Sequence, residues 1–434
     1  MLDGQGLEVT TDDPCVIAGL DRMTAAFLGY TNDAGAVLDA ARADPGCVAA
    51  QAWSAALMMF MENATAAQQA QPYLAAARAG LDRATPREAL LTAAIGAWVE
   101  GDLDRALQLH EEIAARWPRD VAAAKLGQYH AFNRGDARRL RDLALVILPA
   151  NTENGFVHGM LAFGHEQCRE LGLAERLGRR AVELNRQDPW AHHAVAHVLD
   201  SQGRIDEGIA WMEEFAPTWE RCNSFMYTHN WWHTALFMID RDDHAGALRL
   251  YDTRVWGRWK EYSQDQIGAV ALLARLELRG VDVGDRWADV ADHLETRTAD
   301  TVNGFLCWHY VYGLARAGRD AAAAEMLGAI ESAAATRRGV WSELVLPVAQ
   351  GLVAHARGRW AETVAALGPR LGRLHEAGGS HAQRDLLVQI HLDALLRAEL
   401  WDEARAHWAR RLARRPTIPF VQRRVAALVA RGHG

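Results

Sequence analysis

Two pairs of histidines stand four residues apart in the middle of this chain, His193 with His197 and His229 with His233. On a helix that spacing puts both rings of a pair on one face, one turn apart. Trp190, His193, His197 and Asp200 all fall within about 80° of one another at 100° per residue, so they form one stripe. His229 and His233 begin a second stripe that continues through Leu236 and Asp240. His158 and Glu166 precede these pairs, and His309 follows in Phe305-Leu306-Cys307-Trp308-His309.

Three chemistries fit such a set. Two His-x-x-x-His pairs on neighbouring helices could supply four imidazoles to a metal, with Asp200 or Glu166 as an outer carboxylate. Ala194 follows His193, however, where a zincin carries its glutamate base, so no metal ligand and no cofactor is assigned. The second chemistry is acid-base work on a small molecule by His193, His197 and His233, with Asp200 one turn from His197 orienting its ring. His158, Glu166, Trp190, His229, Asn230, Trp232 and His309 would then line the ligand, with Trp190, Trp231 and Trp232 as flat apolar walls. Trp256, Trp259 and Tyr262, with Lys260 and Asp265 nearby, offer a further wall. Third, each ring could be packing that satisfies a single hydrogen bond.

The elements that must position these residues are legible as a repeat. Val99-Glu100-Gly101-Asp102-Leu103-Asp104-Arg105-Ala106 carries a turn glycine, an aspartate able to cap the next helix, and a small residue one turn in. The pattern recurs at Gly135-Asp136 and at Gly203 through Gly208, and between them at Arg169, where the glycine is missing but Ala174 is kept. Longer units follow at Asp242 to Ala247, Gly318 to Ala323, Gly358 to Thr363 and Glu399 to Ala404. Each unit reads as helix, turn and antiparallel helix, which cannot bury its apolar stripe until it stacks on a neighbour. The predicted fold is all-α, with tetratricopeptide-like hairpins stacked in a right-handed superhelix, an α-solenoid. Residues 1–85 read as a divergent helical cap, 86–260 as the repeats carrying the histidines, and 261–434 as longer repeats of the same array.

Composition supports this and narrows the function. Half of the 434 residues are apolar, a quarter are charged, and only 12 are proline. A net charge of −8 gives no general attraction for a phosphate backbone or an anionic membrane, so neither nucleic acid nor membrane is an expected partner. Arginines 410, 411, 414, 415, 423 and 424 read as a solvated helix face. The five cysteines have no Cys-x-x-Cys spacing and look like reduced thiols. No basic residue precedes Arg22, which argues against a secretory leader, and the expected location is cytoplasmic.

The wording of residues 155–255 is more particular. Val157-His158-Gly159-Met160-Leu161-Ala162-Phe163-Gly164, Trp190-Ala-His-His-Ala-Val-Ala-His-Val-Leu199, Gln202-Gly203-Arg204 and His229-Asn-Trp-Trp-His-Thr-Ala-Leu236, followed by Ala-Leu-Arg-Leu-Tyr-Asp, resemble the tetratricopeptide repeat protein 38 family. The resemblance implies a cytoplasmic helical-repeat scaffold and brings no reaction or catalytic set with it. The expected function is a concave cleft, lined by His and Trp, that binds a small molecule or a short peptide. The alternatives are an enzyme using the histidines with a carboxylate, or with a metal, and a pure protein-docking scaffold; whether the chain is an enzyme, and its oligomeric state, stay open.

Overall fold

The turn residue of each repeat fixes the architecture. Gly101, Gly135, Arg169, Gly203, Asp242, Gly318, Gly358 and Glu399 all adopt left-handed backbone, with φ between 60° and 83°. A helix ends at each, and the chain reverses into the next one. Five residues after each of these turns stands a residue buried in the hairpin crossing, among them Ala106, Ala174, Gly208, Ala247, Ala323, Thr363 and Ala404. Arg169, Asp242 and Glu399, the positions without glycine, take the same conformation as the glycines, so the repeat is kept there at the expense of backbone strain. The capping role of the aspartates holds as well: Asp102, Asp136 and Asp243 accept from the backbone N–H groups of Arg105, Arg139 and Gly246.

The computed structural model describes residues 1–431, which form 23 α-helices and, apart from two isolated bridges, no β-structure among the described residues. Contacts divide the chain into two compact units, Met1–Val195 with Thr218–Met226, and Ala196–Pro217 with Tyr227–Gly434. The first holds hairpins α1 (Pro14–Gly29) and α2 (Ala36–Ala43), α3 (Val48–Met59) and α4 (Ala66–Ala79), α5 (Pro86–Val99) and α6 (Leu103–Arg116), α7 (Val121–Asn133) and α8 (Ala137–Ile147), and α9 (Gly155–Gln167) and α10 (Leu171–Leu184). The region before residue 86 is therefore two more hairpins. Helices α11 (Pro189–Gln202) and α13 (Ser224–Asp240) each begin in the first unit and end in the second.

The second unit continues with α12 (Ile205–Phe215) and α14 (His244–Leu250), then α15 (Ser263–Leu278) and α16 (Arg286–Leu294), α17 (Gly304–Arg316) and α18 (Asp320–Arg337), and α19 (Leu346–Ala356) and α20 (Trp360–Leu367). It closes with α21 (His381–Arg397), α22 (Trp401–Arg414) and α23 (Pro419–Arg431). Its core runs from Trp232 and Leu236 through Leu272, Trp308 and Leu352 to Ile390. No described helix is long and apolar enough to cross a membrane.

The arginine run near residue 411 departs from expectation. Arg410 and Arg414 are exposed, but Arg411 and Arg415 turn inward. Arg411 forks onto Asp385 at 2.6 and 2.7 Å, and Arg415 reaches Asp200 at 2.9 Å and also Asp240. Burial alone would raise the Asp385 carboxyl, yet Arg411 and Arg415 hold it below the usual carboxylate range. Asp200 and Asp240 lie far back in the sequence, where no local pattern could pair them with Arg415.

Three outcomes follow. Glu399→Gly relieves a left-handed non-glycine turn and raises stability by about 0.5–1 kcal/mol, read as a higher urea midpoint at unchanged slope. Arg415→Ala strands two buried carboxylates and costs about 3–5 kcal/mol, part of which Asp200→Asn in the same chain restores; strict additivity of the two changes would refute the pairing. His110 and His130 pack at 5.3 Å, and neither ring nitrogen of either is hydrogen-bonded to protein. Burial pushes His110 down to about 3 and His130 well below its ordinary value. Because both are depressed in the folded state, stability is intact above pH ~6.5 and falls by about 1.4 kcal/mol per unit per ring below it. His110→Leu flattens the acid limb of a denaturation series across that range.

Candidate functional site

Helices α11 and α13 carry the two histidine pairs at the same point of successive hairpins. What holds α13 in place is lack of room: a Cβ on Gly208 of α12 would lie 2.3 Å from Cε1 of Phe237, one turn beyond His233. The α12 backbone therefore rests directly on the α13 side chain. Trp232 is fully buried in the core on the neighbouring face and receives the Arg275 guanidinium over its ring at 5.1 Å.

The imidazoles meet. The ring centroids of His197 and His233 are 4.5 Å apart, and those of His229 and His233 are 4.9 Å apart and nearly perpendicular. His229 also stacks on Trp232 at 5.4 Å with an interplanar angle of 8°. One ring nitrogen from each of His197, His229 and His233 lies within 4.8 Å of the others. His193 stands one turn before His197 on the same face of α11. His197 and His233 are buried, whereas His229 is half-buried and so is the ring of the three that solvent can reach.

Burial sets their protonation. It pushes His229 down to about 3 and His233 well below its ordinary value, the neighbouring imidazoles His197 and His229 adding to the effect at His233. Near neutral pH these two rings are therefore uncharged, each with one N–H donor and one acceptor nitrogen. Such rings can bind a hydrogen-bonding ligand or an electrophilic centre. They hold no proton to give as imidazolium acids.

The other residues singled out in the sequence divide. Asp200 does not orient His197: its carboxylate is taken by Arg415, and burial pushes it up while Arg415 pulls it back. Asn230 is buried on α13 between His229 and His233. His309 stands outside the group and donates Nδ1–H to its own helix at the Phe305 carbonyl, 2.8 Å away, with its ring against Phe305. Among residues of the first unit, His158 donates Nε2–H to the Thr152 carbonyl at 2.8 Å, a packing role. Glu166 is fully buried and accepts from Gln167 Nε2. Trp190 stacks on His193 at 4.5 Å and on Tyr30 at 5.5 Å. The wall expected at 256–262 folds onto itself: Trp259 stacks on Tyr262, Trp256 and Lys260 both bind Asp289, and Asp265 accepts from Thr228.

Two buried groups of the first unit went unnoticed in the sequence. The Lys125 ammonium donates to the Leu28 carbonyl at 3.0 Å and sits 3.9 Å from the centroid of the Tyr30 ring. Burial lowers Lys125 and raises Asp188, and each charge partly offsets the shift of the other. Gly159 of the Val-His-Gly-Met motif is explained here, because a Cβ on it would lie 2.5 Å from Asp188 Oδ2. A lysine amid apolar residues of α7 was the available signal.

No known family description matches the chain. Among solved structures it is similar to the hetero-tetramer of Cut9 and Hcn1 from the APC/C, at 12% identity over 87% of this chain and 75% of that one, with a TM-score of 0.38.

Proposed function

We propose that this chain is a helical-repeat protein that binds a small molecule or a short peptide at the imidazole-lined face of α11 and α13. The observation that carries the reading is the convergence of His197, His229 and His233, with half-exposed His229 as the point of entry. Trp232, flat against His229, stiffens that ring and presents an apolar edge beside it. An acid-base enzyme is less well supported, because Arg415 occupies the carboxylate that would have oriented His197.

The same reading places the chain with the tetratricopeptide repeat protein 38 family, on the His-Asn-Trp-Trp-His segment of α13, and in the cytoplasm. Support for that location comes from five cysteines that are all unbridged.

A thermal-shift screen of metabolites and short peptides tests the proposal. A true ligand raises the melting temperature of the wild type and of His375→Ala, a change at an exposed position. In His229→Gln it binds at least about tenfold more weakly, the loss of one good hydrogen bond. Equal shifts in wild type and His229→Gln, or no stabilising compound in the screen, count against it.

A further inference from the structure

We infer that His197, His229 and His233 form a site for one divalent transition-metal ion of the zinc class. The inference rests on reading this face as a ligand site and names the ligand.

The donor set argues for it first. Every candidate ligand is an imidazole nitrogen, with no carboxylate and no thiolate among them. Nitrogen-only sets suit zinc, copper and nickel, whereas calcium and magnesium require oxygen. The His229-x-x-x-His233 pair also gives a rigid frame, since one helix fixes the separation of its two rings.

Distance argues next. Ligand nitrogens about 2.1 Å from a tetrahedral zinc are about 3.4 Å from one another. The nitrogens here lie within 4.8 Å, so they close on an ion by small side-chain rotations with both helices left in place.

Three ligands leave an open fourth position, and four close it. His229 is partly exposed, so an ion held by His197, His229 and His233 has a route in. An organic ligand of the kind proposed above could complete an open coordination shell.

The test uses the full chain, stripped with a chelator, loaded with zinc chloride and desalted. About one zinc per chain is expected in wild type and in His375→Ala, and less than about a tenth of that in His197→Ala/His233→Ala. X-ray absorption of the wild-type zinc protein should show nitrogen neighbours at about 2.0 Å with imidazole scattering, a readout that does not depend on any variant folding. Substitution with cobalt should give the strong visible bands of a tetrahedral nitrogen site. Wild-type protein that retains no zinc, zinc bound through oxygen or sulfur, or undiminished zinc in the folded double variant overturns the inference. The two readings fail separately: an organic ligand that binds chelator-treated wild type equally well keeps the ligand site and removes the ion from it.

Discussion

The closeness of backbones at the hairpin crossings governs everything else in this protein. Gly208 has no space for a Cβ against Phe237, and Ala106, Ala174, Ala247, Ala323 and Ala404 are buried at the same offset from their turns. A hairpin alone cannot shield its apolar stripe, so stability comes from pressing each against its neighbour. That same pressure brings the first helices of successive repeats near enough for imidazoles on α11 and α13 to touch. Widening one crossing by a methyl group would move a whole helix and its ring nitrogens with it.

Burial also decides which chemistry the histidines can do. An exposed imidazole changes charge near neutral pH, whereas His229 and His233 are held uncharged by their surroundings. The cluster is therefore a collection of lone pairs and N–H groups and not a proton reservoir. Asp200, which would have restored basicity to His197, serves the C-terminal helices through Arg415. A scaffold requirement has taken the carboxylate that a catalytic dyad would have needed.

Local features of the sequence were readable because local physics sets them. The left-handed turns and the small residue five positions on follow from helix-end hydrogen bonding and steric room, and they appear in the structure even at Arg169, Asp242 and Glu399, where glycine is absent, the aspartate cap being kept of these three only after Asp242. The shared face of His193 with His197, and of His229 with His233, followed from helical register. What could not be read were pairings set by distant segments: Arg415 with Asp200, Lys125 with Leu28 and Tyr30, Trp219 with His192. His309 looked like the other histidines in type, but it lies on α17 outside the group and bonds a carbonyl of its own helix.

The reach of Arg415 has a consequence for how the second unit comes apart. In an ordinary linear array each repeat leans only on the ones beside it, and the ends fray first. Here Arg415, Thr417 and Arg423 bind Asp200, Gly203 and Asp242, residues some two hundred positions earlier. Loss of the last helices would uncover charged groups in the middle of the chain, so terminal melting is tied to melting at the histidine helices. Cooperativity in this unit is thus that of a closed loop of contacts, slow to form because its ends are so far apart along the chain, and resistant to stepwise erosion once made.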